Sequence, residues 1–371
     1  MAKIPTYFND FLSDIRLTEK QVDDLITGHT TLRDRLNEDE DLSPIIVSTF
    51  LQGSYRRATA VRPKNGKRSD VDVVVVTRLD KDEYTPEEAL NLFVPFLEKH
   101  YKDKYRIQGR SLGIELSYVD LDLVITAAPS ESQIGILEAE SVKTDFSIED
   151  LNTWTLTKSW SFSSQNQSNP FVFLEAASEE PEWKTEPLLI PDREAEEWKP
   201  TDPLAQIKWT WNKNKKCNKH YVNVVKALKW WRRVDDPDGA HPKSYPMEHF
   251  IGECCPDNIS SVAEGVTLTL EKIVSDYEIK PNLPDHGVTE HDVFGRLTDE
   301  EYEAFYERVV EAAKIAREAF DAEGVTESAN LWRELFGNKF PKPKVESNSI
   351  EKNSGFTPRS EVTTIGGNRF A

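Results

Sequence analysis

LQGSYRRATAVRPKNGKRSDVDVVVVT, residues 51–77, is the stretch that decides the fold. Val71 to Val76 has the β-branched run of a buried strand and carries Asp70 and Asp72 at its leading end. Side chains alternate along a strand, so two carboxylates two residues apart share a face and can hold divalent cations together. Just upstream, Ile45 to Leu51 reads as another buried strand, and Gln52-Gly53-Ser54 leads from it into a short helix-compatible segment, Tyr55 to Ala60. A glycine lets the backbone approach a phosphate closely, and a serine at a helix start adds a hydroxyl beside free amide donors. Gly-Ser alone is a weak signal; strand, Gly-Ser, short helix, loop and Asp-x-Asp strand in that order is a specific one.

Farther on, SYVDLDLVIT (residues 117–126) places Asp120 and Asp122 in alternation with Val119, Leu121 and Leu123. Two aspartates on one strand face are costly unless they meet solvent or a cation. If this strand lies beside Val71 to Val76, a third carboxylate completes a ligand set for two magnesium ions. If it does not, these are ordinary surface acids.

The remaining chain reads as supports for that unit. Apolar positions from Phe8 to Leu36 suit one or two amphipathic helices on the back of the sheet. Pro86 to Tyr101 reads as one helix burying Leu90, Phe93, Phe96 and Leu97. Tyr105 to Gln108 and Ser111 to Val124 look like strands, 129–187 has no clear periodicity, and Leu188 to Pro191 suits a short strand. Thr201-Asp202-Pro203 signals a helix start. Val222 to Arg233 is a strong helix, with Lys226, Lys229 and Arg233 together on what reads as a solvated basic face. Further helices are expected at Met247–Cys255, 260–275 and 299–322, with WRELFGNKF closing the folded part. Residues 341–371 are polar, aperiodic and slightly basic, as in a mobile tail. The expected domains are therefore 1–200, a strand-rich lobe; 201–340, a helical lobe; and 341–371, a tail.

Composition limits the classes of function. A net charge of −19 argues against a surface that coats nucleic acid, because neutralising phosphates takes clustered Lys and Arg. No apolar run approaches the roughly 20 residues of a membrane span and the N-terminus has no signal-peptide core, so a cytoplasmic address without membrane attachment is the expectation. Three cysteines, Cys217, Cys254 and Cys255, make no disulfide framework, and Cys254-Cys255 with His249 lacks a fourth zinc ligand at sensible spacing.

Gly53-Ser54, then Asp70-x-Asp72, then an aspartate on a later strand is the active-site pattern of the polymerase β-like nucleotidyltransferase superfamily. Within it the chain resembles the bacterial cGAS/DncV-like nucleotidyltransferases (CD-NTases) of CBASS anti-phage defence. The likeness runs through GSYRRATAV, SDVDVVVV, VDLDLVITA, ALKWWRR, KSYPMEHF and WRELFG. It implies an α+β fold: a nucleotidyltransferase lobe with a mixed β-sheet, a C-terminal helical lobe, and an active site in the cleft between them. It further implies that Asp70, Asp72 and Asp122 are catalytic and bind two Mg2+, with Mn2+ a substitute, and that Asp120 is the alternative third acid. Ile125 stands where the family often has proline. Gln52, Gly53 and Ser54 would bind nucleotide. Lys229, or in its place Lys226, and Ser244 match the groups that hold a donor triphosphate, and Tyr245 matches a base-stacking position.

The implied activity joins ATP and other ribonucleoside triphosphates into a cyclic di- or trinucleotide that activates a downstream effector. A ubiquitin-conjugation-like enzyme is a further implied partner, attaching the tail through Ala371. Lys213, Lys215 and Lys216 leave open a nucleic-acid activator. Two other readings remain: a nucleotidyltransferase acting on RNA ends, a protein or a small molecule, and a nucleotide-binding protein without catalysis. Three converging carboxylates disfavour the last, since they repel one another without metal.

Overall fold

A computed structural model describes residues 4–343 apart from positions 65, 129, 131–185, 238 and 240. The expected tail with Ala371, and nearly all of the aperiodic stretch 129–187, lie outside the described residues.

The two acidic stretches become the centre of one sheet. Strands β1 (Ile46–Gln52), β2 (Ser69–Thr77), β3 (Tyr105–Ile107), β4 (Leu112–Glu115) and β5 (Val119–Ala127) lie in the order β1-β2-β5-β4-β3. β2 and β5 are parallel and β1 and β4 flank them antiparallel, so the sheet is mixed. β6 (Leu188–Asp192) extends β5, and β7 (Glu197–Thr201) pairs with β6. β1 is an edge strand and half-buried, where the sequence suggested full burial. β7 was not expected at all: EWKPT holds a proline and little apolar patterning, which only an edge strand tolerates.

Alternation sorts the strand side chains. Val71, Val73, Val75, Leu121, Leu123 and Ile125 face a core closed by α2 (Glu19–Glu38), α4 (Pro86–Asn91) and α5 (Val94–Tyr101). α2 starts at a capping box between Thr18 and Gln21 and turns Leu25, Leu32 and Leu36 to the sheet. The expected single helix 86–101 is broken at Leu92-Phe93, two residues before Pro95, whose missing N–H cannot continue the ladder.

The helical lobe comprises α6 (Pro203–Lys216), α7 (Tyr221–Asp235), α8 (Ser244–Cys254), α9 (Val262–Asp276), α10 (Asp299–Asp321) and α11 (Val325–Phe336). α7 is its axis, contacting α6, α8, α9 and α11. The first helix, α1 (Pro5–Ile15), joins this lobe and not the sheet: Phe8 and Phe11 pack against Trp332, Phe336 and Phe340. Among the described residues no helix is long and apolar enough to cross a membrane.

Candidate active site

Register brings the acids together. On the paired strands Asp70 stands opposite Asp120 and Asp72 opposite Asp122, with neighbouring parallel strands about 4.8 Å apart. All four side chains occupy the face opposite the Val71/Val73/Val75 core. Hydrogen bonding separates the two candidates for the third acid. Asp120 is tied to Arg68, whose Nε donates to Oδ1 at 2.7 Å. Among the described residues Asp122 accepts only an amide, from Gln108 Nε2 at 2.9 Å, and it stays beside Asp72.

The Gly-Ser turn is built against the same group. Gly53 opens the one-turn helix α3 (Gly53–Arg56) at φ +75°, and a Cβ there would lie 1.8 Å from Asp72 Oδ2. Only glycine fits on both counts. Gln52 pairs across the sheet with Asp72, and Ser54 follows with its carbonyl capping Thr59 and Ala60.

Charge is the distinctive property of this face. Burial first, then the charges of Asp70 and Asp122, push the Asp72 carboxyl up to about 7 against the pull of Arg57. Burial and Asp70 likewise raise Asp122. Clustered oxygen donors that cannot all ionise alone fit a hard divalent cation, which would relieve the repulsion.

The opposite wall is basic but already compensated. Lys229 and Lys226 are 2% and 3% exposed, which corrects the expected solvated face: α7 is covered on every side, so its lysines are buried. Lys229 Nζ donates to the Thr59 carbonyl at 3.1 Å and lies 3.4 Å from Glu248 Oε2. Glu248 also receives Arg57 Nε at 2.8 Å and Thr59 Oγ1 at 2.7 Å. Burial would raise this carboxyl, yet Arg57 and Lys229 outweigh it and hold Glu248 at about 2. Among the described residues Lys226 has no such partner; burial, with Arg16 and Lys229 nearby, lowers it to about 7. Arg233 bridges the lobes by donating to the Arg62 carbonyl at 2.7 Å.

Ser244 and Tyr245 are the first two residues of α8. The Arg57 guanidinium lies over the Tyr245 ring at 5.1 Å, and the Tyr245 hydroxyl donates to Asp285 Oδ2 at 2.6 Å. Structure thus groups Lys229 and Tyr245 through Glu248 and Arg57, two residues the sequence reading did not single out. Arg57 stands two places past Tyr55 in the quoted motif, the only local hint of it; Glu248 has none. The cysteines are buried free thiols, and among the described residues they join no ligand cluster with His249.

A family model for the Second Messenger Oligonucleotide or Dinucleotide Synthetase domain matches residues 2–134. A Salmonella paratyphi B protein named "Probable cyclic AMP-AMP-GMP nucleotide synthase" is 48% identical over 370 residues, covering 96% of both chains. An Enterobacter hormaechei cyclic AMP-AMP-GMP synthase is also 48% identical, over 95% of this chain and 96% of its own. Among solved structures, Escherichia coli MS115-1 CdnC in a HORMA-deltaN complex shares the fold with a TM-score of 0.61 at 17% identity, over 91% of this chain and 98% of that one.

Proposed function

The chain belongs to the cGAS/DncV-like nucleotidyltransferases, and we propose that it joins ATP and GTP into a cyclic trinucleotide with release of pyrophosphate. The observation that carries this reading is the alignment of Asp70, Asp72 and Asp122 on one face, opposite a basic helix. The choice of a mixed adenine–guanine trinucleotide follows the names of the two relatives at 48% identity.

Asp70, Asp72 and Asp122 would hold two Mg2+, or Mn2+ in their place, which supply charge neutralisation at the triphosphate and acidify a ribose hydroxyl. Asp122, with its raised carboxyl pKa and its orientation fixed by Gln108, takes the hydroxyl proton. The Gln52-Gly53-Ser54 turn lies against Asp72 and offers the Ser54 hydroxyl to a phosphate. Lys229, or in its place Lys226, and Ser244 meet the triphosphate from the helical lobe, where phosphate competes with Glu248 for the Lys229 ammonium. Tyr245, braced by Asp285 and Arg57, presents its ring to a base. A linear intermediate then turns in the cleft and closes.

The product would serve as a CBASS signal for a downstream effector, with the tail captured at Ala371 by a ubiquitin-conjugation-like enzyme. Deleting Ala371 should abolish a covalent adduct and leave synthesis intact. For synthesis itself the test is incubation with four labelled ribonucleotides, Mg2+ or Mn2+, and then phosphatase. A phosphatase-resistant product that disappears in Asp70→Asn/Asp72→Asn protein is expected; product formation that survives in the double variant contradicts the assignment.

A further inference from the structure

Past Tyr245 from the aspartates lies a second cluster that the nucleotidyl transfer does not use. His249 and Glu253 stand four residues apart on α8, hence on one face of that helix. His286 reaches them from the loop between α9 and α10, and one ligand atom from each of the three lies within 4.8 Å of the others. His286 Nε2 is 3.8 Å from Glu253 Oε1, too far for a hydrogen bond. Among the described residues His249 Nδ1 and His286 Nε2 are both buried with no hydrogen-bond partner, and His249 is 3% exposed. Two orphaned imidazole nitrogens beside a carboxylate form an unmet donor set, because buried polar atoms otherwise find partners.

We propose that His249, Glu253 and His286 bind one first-row divalent cation of the Zn2+ type, separate from the magnesium site. Two nitrogens and one oxygen select zinc over magnesium, which takes oxygen ligands. Three protein ligands leave a fourth position for water.

The surroundings hold the third ligand in place. Trp209 stacks on His286 with ring centroids 3.7 Å apart, and it lies across Gly252, where a Cβ would come within 2.3 Å of the indole. Asp285, the residue before His286, accepts from the Gly287 amide, from Gln206 and from the Tyr245 hydroxyl. The His249 and His286 rings stack at 3.9 Å, so metal binding draws the donors inward by about 1 Å and opens that stack to reach zinc–ligand lengths. Because Asp285 grips Tyr245, the cation would fix the wall expected to stack a base.

The test uses the full chain, stripped with a chelator and titrated calorimetrically with Zn2+, with Co2+ absorption as a second probe. One equivalent should bind in Asp70→Asn/Asp72→Asn protein, and wild type should take up the same equivalent when excess Mg2+ occupies the aspartates. Glu253→Gln, at an exposed position, should weaken binding about tenfold or more, and His286→Gln should abolish it. Metal-free circular dichroism of Glu253→Gln should match wild type, which keeps the test valid should His286→Gln fail to fold. Absence of Zn2+ uptake, uptake unchanged by Glu253→Gln, or uptake lost in the aspartate double variant would each overturn the proposal. None of these readouts depends on nucleotide synthesis.

Discussion

The two walls of the cleft solve the problem of buried charge in opposite ways. On the strand wall, Asp70, Asp72 and Asp122 crowd one another, and the Asp72 carboxyl rises to about 7. On the helical wall, Arg57 and Lys229 close around Glu248, which falls to about 2. The first wall carries an excess of negative charge and the second already holds its anion. On the proposed reading the strand wall would take metal on its crowded carboxylates, and the helical wall would admit triphosphate by exchange with Glu248.

Removing charge from the strand wall should have the largest effect. Asp70→Asn/Asp72→Asn should lower the rate of nucleotide joining by about a thousandfold or more, the equivalent of several kcal/mol of lost charge stabilisation. Initial rates with labelled ATP and GTP check this. On the helical wall the damage should fall on stability. Glu248→Gln leaves Arg57 and Lys229 buried and short of their anion, at a cost of about 3–5 kcal/mol, read as a lower urea midpoint.

How much of this was legible follows from the range of the interactions. Period-2 alternation displayed Asp70, Asp72, Asp120 and Asp122 directly, since strand geometry is local. What favours Asp122 over Asp120 as the proposed third acid is not local: it lies in strand register and the Arg68 and Gln108 contacts. Lys226 and Lys229 lie at helical spacing opposite the apolar residues of α7, a pattern that normally means solvent. Their burial comes from neighbours far along the chain. Glu248 lies 191 positions from Arg57, and nothing in EHF announces it. The α1 packing was misjudged for the same reason: amphipathicity shows that a helix buries one face but not against which partner.

Acid should separate the two lobes by a smaller amount. His29, behind the sheet with both ring nitrogens buried and without hydrogen bonds, is lowered to about 4 by burial and by Arg33. Its folded pKa lies below the unfolded 6.5, so the unfolded chain takes up the proton first. The His29 contribution is then full above 6.5 and is lost as pH falls from 6.5 to about 4, by roughly 2–3 kcal/mol, while protonation of the raised Asp72 carboxyl acts in the opposite direction below about 7. The Glu248 contribution is present above its unfolded pKa near 4.5 and is lost only as pH falls from there to about 2. Urea midpoints across this range should show the earlier loss shrink in His29→Leu, with His249 and His286, also lowered by burial, carrying what remains, and the later loss shrink in Glu248→Gln.

The smallest effect is expected at Gln108, which orients Asp122 without carrying charge. Gln108→Ala should reduce kcat by about tenfold and leave KM nearly unchanged, measured by steady-state kinetics.

The most direct test of the unequal walls is the stability of Asp72→Asn beside wild type, in chelator and then in Mn2+. Relief of repulsion should make the metal-free variant more stable than wild type by about 1–2 kcal/mol, and Mn2+ should stabilise wild type alone and close that gap. A metal-free Asp72→Asn protein less stable than wild type, or equal stabilisation of both by Mn2+, would contradict the account.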